Sequence, residues 1–236
     1  QDGKIIAAME EERFTRVKHA KHALVDNAHE LPWRSIAFCL ARAGVAEADV
    51  DHVGYSLDPA ERLARNLGLE DSARIKDGDF GSPAGEQAFN ASLLEAGRLL
   101  GERFPSAEVH YLEHHLCHAA SAYTVSPLEN AAVLAIDGIG EFHSTWLGLG
   151  LEGGLSCLQR IPYPHSLGFV WEKMSELLGF DAYSGPGKVM GYGAITDPYG
   201  ELSGKCHLET MREIIQLQAD GTFAEVTKAA GLDVVA

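Results

Sequence analysis

Apolar and polar positions in the first half of the chain alternate between short strand-like runs and long helical stretches. The apolar run from Ile5 to Met9 predicts a strand after the turn dipeptide Asp2-Gly3. Pro32 predicts the start of a helix, and Gly44 predicts its end. The pattern then predicts a strand in 51–57, helices within 59–104 interrupted by a loop at 76–83, and a short strand at 109–112.

In the second half, a continuous apolar run from Ala131 to Ile136 predicts a buried strand after a boundary near Ser126-Pro127. A turn from Asp137 to Gly140 follows this strand. Mixed α/β architecture is the class that fits both halves. The remaining predictions are strands at 144–151 and 155–160, a helix at 169–178, a glycine-rich loop at 179–193, and two subdomains at residues 1–127 and 128–236.

The acidic composition of the chain argues against nucleic acids and membranes as binding partners. The chain has 34 acidic and 19 basic residues, which gives a formal net charge of -15. Such a surface repels phosphate backbones and anionic lipids, so we expect neither nucleic acid nor a membrane as a partner. The four cysteines are scattered without paired spacing, and no signal peptide or long apolar stretch is present in the sequence. We therefore expect a cytoplasmic protein.

Three histidines lie within five residues, in the segment His114-His115-Leu116-Cys117-His118. Residues four apart share one face of a helix, so His114 and His118 can direct both imidazoles at one ion. Imidazole pairs suit zinc, iron and similar metals, and a third, anionic ligand must come from elsewhere. A pair of hydrogen-bonded surface histidines is the competing interpretation.

An acidic residue follows the apolar strand directly, in Asp137-Gly138-Ile139-Gly140-Glu141. Asp137 is held at the end of the strand, and the two glycines leave backbone amides able to approach a phosphate oxygen. Between its flanking strands, this motif is similar to the phosphate-binding hairpin of the actin, Hsp70 and sugar-kinase superfold. A simple Asp-Gly turn is the alternative.

Two further segments are candidates for nucleotide contact. The glycine-rich segment from Gly185 to Gly193 carries a single lysine, but Lys188 is followed by Val189, so the segment is not a Walker A loop. A basic cluster that includes Lys18 stands out in an acidic chain and could hold an anionic adenylate. A functionless flexible loop and a solvated surface, respectively, are the simpler interpretations.

Five blocks of the sequence match a known family in order: Glu10 to His19, His114 to Ser121, Ala135 to Glu141, Ser166 to Gly168, and Gly187 to Gly191. Together they resemble the carbamoyltransferases of the nodulation-protein type, a family that includes antibiotic O-carbamoyltransferases of natural-product pathways. The resemblance implies an actin-like (ASKHA, ribonuclease H-like) fold of mixed sheets flanked by helices, similar to the universal tRNA threonylcarbamoyl transferase.

The resemblance also implies a reaction and a site. The family transfers a carbamoyl group from carbamoyl-adenylate, made from carbamoyl phosphate and ATP, to a hydroxyl group, here expected on a small molecule. His114, His118 and Asp137 would hold a divalent metal, with iron favoured over zinc by the resemblance although the ligand types suit either. Lys18 would contact the adenylate, and the nucleotide site would be lined by Gly138, Ser166, Gly168, Gly187 and Lys188.

Two parts of the family pattern are missing from the sequence. The opening strand with the proposed general base would lie upstream of Gln1, and the carbamoyl-adenylate synthase-like domain would lie beyond Ala236. We therefore expect a fragment that cannot complete the reaction by itself, with no catalytic base assigned. A sugar- or acetate-kinase-like phosphotransferase of the same superfold, or a nucleotide-binding module without catalysis, are the alternative functions.

Overall fold

The computed structural model describes residues 3–65, 75–195 and 208–225. It is a mixed α/β structure in which two compact units meet in sequence between Glu113 and His114. The subdomain boundary predicted between residues 127 and 128 stays a prediction. Within the described ranges, no helix is both long and apolar enough to cross a membrane.

The first unit contains a two-stranded parallel sheet and a long helix beside it. The helix α4 begins where Ser82 accepts a hydrogen bond from the Gly85 N–H and where proline occupies the first turn. Leu93, Ala96 and Leu100 of α4 are buried, as is Phe104 directly after the helix. The elements are α1 (Glu12–Thr15), α2 (Trp33–Ala43), β1 (His52–Tyr55), α3 (Pro59–Arg65), α4 (Pro83–Arg103) and β2 (Glu108–Tyr111).

A buried ion pair joins α3 to α4. The guanidinium of Arg62 donates to both carboxylate oxygens of Glu86, at 2.7 and 2.8 Å, and the Gly81 N–H donates to the same carboxylate at 2.8 Å. Burial raises the pKa of Glu86, but the hydrogen bond and charge of Arg62 outweigh burial, so the pKa is lowered overall. The pair therefore stabilises the folded state while Glu86 is ionised.

We expect this ion pair to make the first unit sensitive to acid. The pKa of Glu86 is lower in the folded than in the unfolded chain, so its contribution is complete above the unfolded value of about 4.3 and is lost as the pH falls through the folded value. Urea unfolding between about pH 6 and pH 3 should show Glu86→Gln with a shallower acid dependence than the wild type. The exposed Glu129→Gln is the control, and equal slopes in wild type and Glu86→Gln would contradict this prediction.

The second unit is built on the antiparallel sheet β3-β4-β5. Helix α5 covers one face of this sheet, where Ala119 and Tyr123 pack against Val133, Ala135 and Trp146. The elements are α5 (His114–Tyr123), β3 (Asn130–Ile136), β4 (His143–Leu151), β5 (Gly154–Pro162), α6 (Leu167–Leu177), α7 (Gly185–Ile195), α8 (Leu208–Ile214), β6 (Ile215–Leu217) and β7 (Phe223–Glu225).

Three local predictions were wrong. Residues Ile5 to Met9 form no strand, because they find no partner strand among the described residues, and Asp2 of the predicted turn lies outside them. Strand β3 is buried on one face only, with Ile136 49% exposed on the other. The predicted loop 179–193 contains helix α7. Just before this helix, the Asp181 carboxylate accepts hydrogen bonds from the Tyr183 and Ser184 N–H groups.

The other predicted elements are confirmed within a few residues. Helix α2 ends at Gly44, which has φ 66, as the sequence predicts. The helical stretch 59–104 divides into α3 and α4 around the predicted loop, and residues 66–74 of that stretch lie outside the described residues. The strands β1 to β5 and helix α6 lie where apolar runs and alternation predict them.

Candidate metal centre

Three predicted metal ligands converge in the second unit. His114 opens α5, His118 lies one turn later, and Asp137 directly follows β3. The Nε2 atom of His114 lies 2.7 Å from Oδ2 of Asp137 and 3.0 Å from Nε2 of His118, and His118 Nε2 lies 3.3 Å from the same Oδ2. The packing of α5 on β3 thus brings two imidazoles and a carboxylate to one point.

This donor set fits a divalent transition metal. A divalent ion forms bonds of about 2.0–2.2 Å to imidazole nitrogen and carboxylate oxygen. At that bond length, an ion bound to the two Nε2 atoms and to Oδ2 of Asp137 would lie to one side of the plane through these three atoms. Two imidazoles and one carboxylate on one side of an ion leave its other positions open, as in facial-triad iron sites and open zinc sites. The geometry therefore suits a metal that also contacts a ligand or substrate.

The charge state of the three residues also suits a cation. Burial raises the pKa of Asp137, but the hydrogen bond from His114, the Gly138 N–H and the charges of the two histidines outweigh burial and hold that pKa below its ordinary value. His115 is fully buried beside them, and its pKa is lowered by burial first and then by the charge of His114. Asp137 is thus anionic and could serve as a metal ligand, and His115 is a neutral packing partner.

Glu141 holds the end of α5 that carries the candidate ligand His114. Its carboxylate is fully buried and accepts the backbone N–H of His114 at 3.0 and 3.3 Å. A carboxylate at this end of a helix satisfies an otherwise unpaired N–H and complements the helix dipole. Glu141 was not predicted as a site residue. The available signal was its place at the end of the Asp137 motif, in the turn that leads into β4.

Close packing fixes the Asp137 turn against its neighbours. Ser166 is fully buried and donates from Oγ to the carbonyl oxygens of Gly138, at 2.6 Å, and of Asp137, at 3.2 Å. The same Oγ accepts from the Phe169 N–H and caps α6. A Cβ on Gly168 would lie 2.5 Å from the Gly138 nitrogen, so only glycine permits this approach. Three predicted nucleotide contacts, Gly138, Ser166 and Gly168, therefore adjoin Asp137.

A second acid that the sequence analysis missed lies on α6. Burial raises the pKa of Glu172 to about 7, with further contributions from Glu176 and Asp137. A carboxyl group with such a pKa exchanges a proton near neutral pH. Glu172 lies four residues after Gly168, on the same helical face, which was the signal that could have suggested it.

Comparison with known proteins decides the family. The family described as Carbamoyltransferase N-terminus matches residues 1–230. The chain belongs to the carbamoyltransferase family. The nodulation protein NolNO of Sinorhizobium fredii is 34% identical over 84% of the chain, and the nodulation protein NolO of Bradyrhizobium diazoefficiens is 38% identical over 39% of it.

The matched carbamoyltransferase relatives are longer than this chain. The uncharacterised protein sll1178 of Synechocystis is 33% identical over 94% of the chain, yet the chain spans 35% of that protein. It spans 27% of NolNO and 17% of NolO. The region described here therefore corresponds to roughly a third or less of these relatives.

Three other residues were predicted to contact the nucleotide, and the structure places them on α7 and in the first unit. Gly187 and Lys188 are exposed on α7, and the Lys188 ammonium lies 5.9 Å from the centre of the Phe180 ring. Lys18 belongs to the first unit, where its Nζ lies 3.5 Å from a Glu12 carboxylate oxygen. Nucleotide contact by these three residues stays a prediction.

Proposed function

We propose that this chain is the metal-holding part of an enzyme that transfers a carbamoyl group from carbamoyl-adenylate to a hydroxyl group of a small molecule. The observation that carries the proposal is the convergence of His114, His118 and Asp137, whose ligand atoms are separated by 2.7–3.3 Å. Membership of the carbamoyltransferase family supports the reaction class.

The arrangement of the second unit supports an actin-like, ASKHA-type architecture for this part of the enzyme. A strand, a tight Asp-Gly turn and a returning antiparallel strand are followed by a third strand and a helix. The helix α6 begins against the turn, and Ser166 ties the two together through hydrogen bonds to turn carbonyls. The N-terminal end of a helix favours anions such as an adenylate phosphate through the helix dipole.

In the proposed reaction, the acceptor oxygen forms a bond to the carbamoyl carbon, the bond from that carbon to the adenylate oxygen breaks, and AMP leaves with the bonding electron pair. The acceptor hydroxyl proton passes to a base. A divalent metal bound by His114, His118 and Asp137 would supply positive charge beside the phosphate, and we expect iron rather than zinc. Carbamoyl-adenylate would be formed from carbamoyl phosphate and ATP by the carbamoyl-adenylate synthase-like domain of the full-length protein.

The chain's own residues hold and orient the reacting groups in this scheme. Glu141 fixes the start of α5 through the His114 N–H, so that both histidines face Asp137. Gly138 and Gly168 are proposed to line the nucleotide site by family resemblance, and the close approach of Gly168 to the Gly138 nitrogen holds α6 against the Asp137 turn. Lys18, Gly187 and Lys188 are proposed nucleotide contacts by family resemblance.

The test is acceptor-dependent release of AMP by the natural full-length protein supplied with ATP, carbamoyl phosphate and candidate hydroxyl compounds. We expect pyrophosphate release from ATP, and AMP together with a carbamoylated acceptor once the hydroxyl compound is added. We expect the isolated 236-residue chain to release neither, because it spans only about a third of the length of its relatives. Phosphorylation of the acceptor with ADP release would overturn the proposal in favour of a kinase, which the family match does not favour.

A further inference from the structure

Three metal-binding side chains meet on the surface of the first unit, outside the centre described above. His52 lies on β1, and Glu108 and His110 lie on β2. In the parallel pairing of these strands, His52 is opposite Glu108 and Gly54 is opposite His110. Because alternate residues of a strand share one face, all four positions lie on the same side of the two-stranded sheet.

The ligand atoms have a spacing that suits a small cation. Nδ1 of His52 lies 3.0 Å from Nε2 of His110, and Oε2 of Glu108 lies 4.0 Å from the first and 3.8 Å from the second. The point that lies in the plane of these three atoms and is equidistant from them is about 2.1 Å from each, which matches the bond length that zinc forms with imidazole nitrogen and carboxylate oxygen. The three atoms are therefore close enough together to bind one ion.

The parallel register brings the two imidazoles together. His52 and His110 lie on neighbouring strands on the same face of the sheet, with ring centroids 5.1 Å apart and planes inclined at 43°. The facing ring nitrogens are thereby at hydrogen-bonding distance.

We propose that His52, Glu108 and His110 form a second metal site, which takes a divalent ion of the zinc type and links β1 to β2. Two imidazoles and a carboxylate are the donors that such ions prefer, and three protein ligands leave a fourth position for water. The His52 and Glu108 side chains are 67% and 70% exposed, so an ion reaches them directly from solvent. The net charge of -15 favours cation binding in general.

Metal binding at this surface replaces an interaction that already exists. Without an ion, one imidazole donates its proton to the other across the 3.0 Å separation. With an ion, both facing nitrogens present lone pairs, and the imidazole that was the donor carries its proton on the other ring nitrogen, so both rings stay neutral. The site is therefore a surface clamp on the parallel strand pair, independent of the carbamoyl chemistry proposed for the second unit.

Zinc titration of the metal-stripped chain against a chromophoric chelator tests the proposal. We expect two equivalents of Zn²⁺ in the wild type, one in His52→Ala, and two in His22→Ala, which replaces an exposed histidine of the same unit. Glu108→Gln keeps the side-chain shape and removes its charge, and it should weaken this site by about tenfold or more. Zinc should also raise the thermal unfolding midpoint less in His52→Ala than in the wild type.

The two proposed metal sites can be tested independently of each other. His118→Ala should remove the other equivalent while leaving the zinc bound through His52, and the double variant should bind none with comparable affinity. If His52→Ala and Glu108→Gln both bind zinc with wild-type stoichiometry and affinity, the three residues form only a hydrogen-bonded surface cluster and the second site is refuted. Circular dichroism of each variant verifies that the strands remain folded.

Discussion

Replacement of His118 by alanine is expected to weaken metal binding at the His114, His118 and Asp137 centre by more than about 100-fold. Loss of residues that merely orient a metal ligand reduces affinity about 10–100-fold, so loss of a ligand itself should exceed that range. The His118 side chain is 51% exposed, so its removal leaves little cavity and should alter stability by less than about 0.5 kcal/mol. The effect on metal binding is therefore separable from folding.

Asp137→Asn complements this variant, because it removes the negative charge and keeps the side-chain shape. Asp137 accepts from both histidines and from the Gly138 N–H, so asparagine also weakens the turn. We expect a loss of metal affinity as large as in His118→Ala, with a greater loss of stability. The measurement is a titration of Fe²⁺ under anaerobic conditions and of Zn²⁺, in a His52→Ala background so that one site is observed.

The matched controls are His22→Ala and Asp26→Asn, which replace the same residue types at exposed positions of the first unit. Both should bind metal as the background protein does. If His118→Ala and Asp137→Asn retained the affinity of these controls, the three side chains would form a hydrogen-bonded cluster instead of a metal centre. In that case the transferase proposal would rest on family membership.

The sequence could predict the three converging residues because local rules place each of them. Two histidines four apart share a helical face, and an acid at the end of an apolar strand lies at an edge of the sheet. The sequence does not predict that α5 packs on β3, which brings them within 3.3 Å. That contact depends on the small residue Ala119 against Val133 and Ala135 of the sheet.

Residues whose roles depend on tertiary contacts were missed. Glu141 matters because its buried carboxylate meets an N–H twenty-seven positions away in the chain, at His114. The pair of His52 and His110 is likewise created by parallel strand register, which the sequence does not specify. Glycine content favoured a loop where α7 forms, because glycine lowers helix propensity by about 1 kcal/mol per residue.

Gly168→Ala is expected to weaken metal binding at the proposed centre, although the atoms nearest to a Cβ at position 168 are backbone atoms of Asp137 and Gly138. The new Cβ would lie 2.5 Å from the Gly138 nitrogen and 2.7 Å from the carbonyl carbon and oxygen of Asp137. These are backbone atoms, so α6 and the Asp137 turn must move apart by several tenths of an ångström. Overpacking of this kind costs about 1–3 kcal/mol, which exceeds the gain of about 0.5–1 kcal/mol from replacing glycine by alanine within a helix.

The displacement of α6 should lower the stability of the fold and also shift the Asp137 carboxylate. Ser166 joins the start of α6 to the carbonyls of Asp137 and Gly138, so movement of α6 pulls on the turn that carries the carboxylate. We expect metal affinity to fall by about tenfold or more. A tenfold loss corresponds to a binding penalty of about 1.4 kcal/mol, which lies within the expected cost of the overpacking. The readouts are urea unfolding of the metal-free chain and Zn²⁺ affinity in the His52→Ala background.

Gly101→Ala is the matched control, because it lies in α4 and a Cβ there meets nothing within 4 Å. It should raise the free energy of unfolding by up to about 1 kcal/mol and leave metal affinity unchanged. A Gly168→Ala protein with the stability gain and metal affinity of this control would mean that the turn does not depend on close contact with α6. A protein destabilised by Gly168→Ala but binding zinc normally would place the strain in α6 and leave the carboxylate of Asp137 unaffected.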